Sequence, residues 1–124
     1  MEITAMDERI LVVDDDTDIL EFVEPFLSDQ GYQVRTSPSG SIMQHIQRDL
    51  PDLILLDIFL HEKDGRVMCR QLKANAVTGH IPIVLFSAQA SKENALRESG
   101  ADDFLSKPFN LQALSEIVHK FLPE

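Results

Sequence analysis

Hydrophobic positions along the chain alternate between two patterns. Ile10-Leu11-Val12-Val13 is an apolar run rich in β-branched side chains, too short for a helix and characteristic of a strand buried on both faces. Leu53 to Leu56 and Ile81 to Phe86 read the same way, the second tolerating Pro82 near its start. Between these runs the period becomes helical. Ile19, Leu20, Val23, Phe26 and Leu27 share one helix face behind Asp16 or Thr17 as N-cap, with Gly31 at the C-terminal end. Pro25 lies inside that stretch, removes a backbone donor and predicts a kink or local break, at up to ~3 kcal/mol where nothing compensates.

Further along, Tyr32 to Arg35 predicts a weaker strand, and Ile42, Met43, Ile46 and Leu50 a second helix that Pro51 ends. Val67, Met68, Gln71 and Leu72 mark a third helix, and Lys92 to Ser99 a short fourth between a Ser91 cap and Gly100. Phe104 and Leu105 supply a short fifth strand. Asn110 caps a last helix whose Leu111, Leu114, Ile117, Val118 and Phe121 form an apolar stripe. Five strand–helix repeats imply an α/β fold, a parallel sheet covered on both faces.

Ligands of such sheets bind beyond the carboxyl ends of the strands, where the strand order changes direction. Asp14, Asp57, Ser87 and Lys107 all stand at or just after predicted strand ends. Together with Asp15 they would gather three carboxylates and an ammonium at one edge. Carboxylate oxygens suit Mg²⁺, and a lysine is a point-charge partner for phosphate. The chemistry indicated is phosphoryl transfer.

Composition narrows the setting. The chain has 124 residues, one domain's worth, with no apolar run near the ~20 residues of a membrane span. Residues 1–8 read as a polar tail without the character of a signal peptide, and 9–122 as the domain. Cys69 is the one cysteine, so no internal disulfide forms, and a cytoplasmic location is expected. A net charge of −10 argues against direct contact with nucleic acid or an anionic membrane. His45, His80 and His119 show no metal-ligand spacing.

Rival readings of the acidic run Asp14-Asp15-Asp16-Thr17-Asp18 fail on particular residues. An EF-hand loop needs glycine at its sixth position and glutamate at its twelfth, where Ile19 and Pro25 stand. An aspartate-nucleophile phosphatase would open D-x-D-x-T, but Asp18 replaces the threonine. A flavin site would place a Ser/Thr/Gly phosphate loop after the first strand, and acids there would repel the phosphate.

From about Arg9 to Leu122 the chain resembles the receiver domain of two-component response regulators. The resemblance rests on VVDDD at Val12 to Asp16, LLD at Leu55 to Asp57, DG at Asp64-Gly65, SA at Ser87-Ala88, GADDF at Gly100 to Phe104 and KPF at Lys107 to Phe109. It implies a flavodoxin-like (βα)5 three-layer sandwich with a five-stranded parallel sheet of order 2-1-3-4-5. It also makes Asp57 the acceptor of a phosphoryl group from phosphohistidine. Asp15 and Asp57 would bind Mg²⁺ (or Mn²⁺) directly and Asp14 through water, with the Phe59 backbone carbonyl completing the protein ligands. Lys107 would pair with the phosphoryl oxygens, and Ser87 would donate its hydroxyl to them. Ser87 and Phe104 would form the switch, Phe104 turning inward, and the peptide bond before Pro108 would be cis.

The resemblance implies as partners a sensor histidine kinase or histidine phosphotransfer protein and a downstream effector, with a phosphorylation-dependent homodimer compatible. Asp18, Ile19, Glu21 and Phe22 on the first helix are candidates for kinase contact. The protein would catalyse only its own modification and so would not act as an enzyme on external substrates. Two departures stand out. His61 replaces the usual proline four residues after the acceptor and reads as a surface loop residue. Phe59 and Gln89 flank the path of hydrolytic water, and an apolar Phe59 predicts a long-lived phospho-state. The alternatives are a phosphorylation-independent pseudo-receiver scaffold and an Mg²⁺-dependent small-molecule phosphohydrolase. The chain ends just after the last helix, compatible with a single-domain regulator or with one domain of a larger protein.

Overall fold

A computed structural model of the protein describes residues 8–61 and 63–123. The expected tail over residues 1–8 therefore lies almost wholly outside the described residues. The main sheet contains β1 (Arg9–Val13), β2 (Gln33–Ser37), β3 (Leu53–Asp57), β6 (Ile83–Ser87) and β7 (Asp103–Ser106), while β4 (Phe59–Leu60) and β5 (Lys63–Asp64) form a small antiparallel ribbon. The helices are α1 (Thr17–Asp29), α2 (Gly65–Ala74), α3 (Lys92–Ser99) and α4 (Leu111–Phe121), with a 3-10 segment over Gly40–Arg48. The sheet order is β2-β1-β3-β6-β7, all parallel. Counting sheet strands alone, this is the expected 2-1-3-4-5.

Period-two alternation sends each buried strand to two cores at once. Ile10, Val12, Leu53, Leu55, Val84 and Phe86 point to the face covered by α1 and α4, where Leu20, Val23, Leu27, Leu114 and Val118 meet them. Leu11, Val13, Ile54, Leu56, Ile83 and Leu85 point to the other face, against Ile46, Met68, Cys69, Leu72 and Ala95. This double burial explains why the central strands are unbroken apolar runs.

Three local expectations change. The second strand begins one residue past Tyr32 and extends to Ser37. α1 runs without interruption through Pro25, which lies on the exposed side, so the Glu21 carbonyl left without its donor faces water while Leu20, Val23 and Leu27 hold the buried side. The second helix is a 3-10 segment that stops at Arg48, short of Leu50. Ile46 is its one buried apolar side chain, Ile42 and Met43 being half-buried, so packing gives little of the drive that selects α geometry.

The remaining boundaries follow local chemistry. Asp16, Asp64, Ser91 and Asn110 cap α1, α2, α3 and α4 through their side-chain oxygens. Gly100 closes α3 at φ 75°, a left-handed cap suited to glycine. Among the described residues, no helix is long and apolar enough to cross a membrane.

Candidate functional site

Strand ends build the site. Val13 pairs with Leu56, Asp57 with Phe86, and Ser87 with Ser106, so Asp14, Asp57, Ser87 and Lys107 follow one another across the carboxyl edge of neighbouring strands. The sheet order reverses between β1 and β3, which places Asp14 and Asp57 on either side of the switch point. Local bonds then aim the side chains. Asp14 N–H donates to the Ser37 carbonyl at 3.1 Å, and Asp14 Oδ1 accepts from Asp16 N–H at 3.0 Å, tying the acidic turn to the start of α1. Lys107 N–H donates to the Ser87 carbonyl at 2.9 Å, and the Lys107–Pro108 bond is cis.

Asp14, Asp15 and Asp57 each present a carboxylate oxygen within 4.8 Å of the other two. Asp57 is 5% exposed and Asp14 fully buried. Burial first, and then the charge of Asp14, push the Asp57 carboxyl up to about 6, against the opposing pull of Lys107. Lys107 Nζ lies 2.8 Å from Asp14 Oδ2 and 3.4 Å from Asp57 Oδ1. Burial pulls that ammonium down, but contact with Asp14 and the charge of Asp57 outweigh it and leave its pKa raised. Asp14 Oδ2 is buried, and the Lys107 ammonium is its close partner. One ammonium thus touches two of the three acids, and the Asp57 carboxyl stays raised despite it.

These observations fit a divalent cation. The donors are oxygens, and the cluster is tight enough to share one ion. Asp14, Asp15 and Asp57 are the residues that would hold it. The cleft of about 190 Å³ between Arg9, Leu11, Arg35, Asp49 and Pro51 lies at the opposite, amino-terminal edge and takes no part.

Ser87 is buried at the end of β6, and its hydroxyl oxygen accepts from Gln89 N–H and Ala90 N–H, both at 3.1 Å. Those bonds occupy the lone pairs and leave the hydroxyl proton to be donated. Phe104, the expected switch aromatic, is 6% exposed and packs in the core beneath α2 and α3, so its ring already faces inward.

Two arrangements escaped the sequence. Gly65 N–H donates to the Ile58 carbonyl at 2.7 Å, and a Cβ on Gly65 would stand 2.2 Å from the Asp57 carbonyl oxygen. Gly65 therefore holds the start of α2 against the end of β3. Arg66 donates to Asp64 Oδ2 at 2.7 Å and to Glu98 at 3.1 Å, and its guanidinium lies 5.6 Å from the centre of the Phe59 ring. The Asp-Gly-Arg run is a local signal for the first contact. Glu98, 32 residues away, has none. His61, expected as a surface residue, is exposed but also places Nδ1 3.3 Å from Asp15 Oδ2.

Known proteins share this arrangement of chain and sheet. The family described as response regulator receiver domain matches residues 10–119. Response regulator PleD of Caulobacter vibrioides is 42% identical over 108 residues, 85% of this chain and 24% of that protein. The chain spans between 24% and 50% of the length of the first such curated relatives. A two-component response regulator from Clostridium difficile superposes with a TM-score of 0.84 at 29% identity, over 94% of this chain and 96% of that one. The receiver domain of sensor histidine kinase PA1611 from Pseudomonas aeruginosa PAO1, solved with a magnesium ion coordinated in its active site cleft, gives a TM-score of 0.84 at 29% identity over 95% and 99% of the two chains. With its five parallel strands and acidic edge in the family's order, this chain belongs to the response regulator receiver domains of two-component systems.

Proposed function

We propose that the protein accepts a phosphoryl group on Asp57 from a phosphohistidine donor, with Mg²⁺ or Mn²⁺ as cofactor, and signals through a changed surface. The observation that carries this reading is the cluster itself, three carboxylates within 4.8 Å of one another at the switch point with Lys107 beside two of them. Asp57 supplies the attacking oxygen. Asp14, Asp15 and Asp57 hold the cation, with the Phe59 carbonyl as a further ligand. When bound, the cation keeps Asp57 ionised and neutralises charge on the transferring group. Lys107, already 3.4 Å from Asp57, offers its ammonium to the same group, and the free proton of Ser87 is available to another of its oxygens.

A sensor kinase or phosphotransfer protein supplies the phosphoryl group and a downstream effector reads the result, in the cytoplasm and without direct nucleic-acid contact. The protein acts on itself and turns over no external substrate. Incubation with phosphoramidate, a small P–N donor, tests this. An acid-stable, hydroxylamine-labile label on the wild type and none on Asp57→Asn is the expected outcome. Steady phosphate release from p-nitrophenyl phosphate without labelling would instead support the hydrolase.

A further inference from the structure

His61 lies in the turn between β4 and β5, over the acidic edge, and the roles above leave it unused. Its side chain is 92% exposed, so no packing holds the ring, yet Nδ1 stands 3.3 Å from Asp15 Oδ2. Two donors bound to one ion at ~2.1 Å each, at a right angle, are about 3 Å apart. The observed spacing therefore allows both atoms to share an ion after a small rotation. The ring nitrogen joins the cluster from its solvent side, at the least buried of the three acids, while Asp14 Oδ2 on the buried side is held by the Lys107 ammonium at 2.8 Å.

We propose that His61 gives this cation site a nitrogen donor, so that it takes borderline transition ions such as Co²⁺ or Zn²⁺ more tightly than an all-oxygen site would. The inference rests on the cation reading of Asp14, Asp15 and Asp57 above. Oxygen donors suit Mg²⁺, whereas imidazole suits Zn²⁺, Ni²⁺ and Cu²⁺. His61 should therefore separate the two classes of ion. Asp15 is shared by both.

Calorimetric titration of metal-free protein with Co²⁺ and with Mg²⁺ tests this. His61→Ala, at a site with no buried contacts, should lower Co²⁺ affinity about 10-fold and leave Mg²⁺ affinity unchanged. The loss should vanish in an Asp15→Asn background. Equal Co²⁺ affinity in wild type and His61→Ala, with Asp15→Asn weakening both ions, would overturn the role of His61 and leave the acid cluster standing. Binding of both ions indifferent to Asp15→Asn and Asp57→Asn would overturn the cation reading itself.

Discussion

Lys107 leans on Asp14 more closely than on Asp57, its Nζ 2.8 Å from Asp14 Oδ2 and 3.4 Å from Asp57 Oδ1. Asp14 is fully buried, and Lys107 is the counter-charge that its Oδ2 touches. Lys107→Met therefore strands a buried carboxylate. Breaking a buried pair costs ~3–5 kcal/mol, and partial access of water to Lys107 reduces this to ~1–3 kcal/mol. Urea unfolding at neutral pH in chelator measures the loss, and saturating Mg²⁺ should recover part of it by binding the folded state.

The raised carboxyl of Asp57 has a consequence of definite sign. Its folded pKa, about 6, exceeds the ordinary 3.8, so the folded state holds the proton more tightly. The stability this contributes is full below pH ~4 and is lost as pH rises through about 6. Asp57→Asn removes that titration. In metal-free buffer the variant should exceed the wild type in stability by ~1–3 kcal/mol at pH 7.5, and the gap should close at pH 4. Denaturant midpoints at the two pH values decide it, and an equal gap at both would contradict the assignment.

Gly65 and Gly100 should answer differently to alanine. At Gly65 a Cβ meets the Asp57 carbonyl oxygen at 2.2 Å, with further Asp57 and Ile58 backbone at 3.0 Å, and backbone cannot rotate away. Gly65→Ala should cost ~2–3 kcal/mol and displace the end of β3 that carries Asp57, lowering phosphorylation as well. At Gly100 nothing lies within 4 Å, and only the left-handed φ of 75° opposes a side chain. Gly100→Ala should cost ~1 kcal/mol with phosphorylation intact. Thermal unfolding paired with label incorporation distinguishes the two.

The Phe59 ring, 47% exposed beneath the Arg66 guanidinium, offers no hydrogen bond to a water approaching Asp57. Phe59→Asn introduces one and should shorten the phospho-state lifetime by roughly tenfold, read as decay of the label after donor removal. Wild-type decay within seconds would contradict the role given to Phe59.

The parts legible in the sequence are those where one physical requirement dominates. β1, β3 and β6 are buried on both faces, so their apolar runs named them, and acids directly after such runs named Asp14, Asp15 and Asp57. Asp16, Ser91, Asn110 and Gly100 announced helix ends through local bonds or backbone angle. The 3-10 path of Gly40–Arg48 was not legible, because its apolar spacing serves either helix and tertiary packing there is sparse. The bridge from Arg66 to Glu98 joins two helices, and the reach of His61 to Asp15 spans 46 positions. Neither leaves a pattern within one element.

On the proposed function, Asp57 receives a phosphoryl group only with a divalent cation at the acid cluster. Intact mass after incubation with acetyl phosphate, with and without Mg²⁺, tests it most directly in the wild type and Asp57→Asn. The expected result is one adduct of ~80 Da on the wild type that requires Mg²⁺ and is absent from the variant. A folded wild type that gains no adduct with Mg²⁺ present, or an Asp57→Asn protein that gains it equally, would rule out Asp57 as the phosphoryl acceptor.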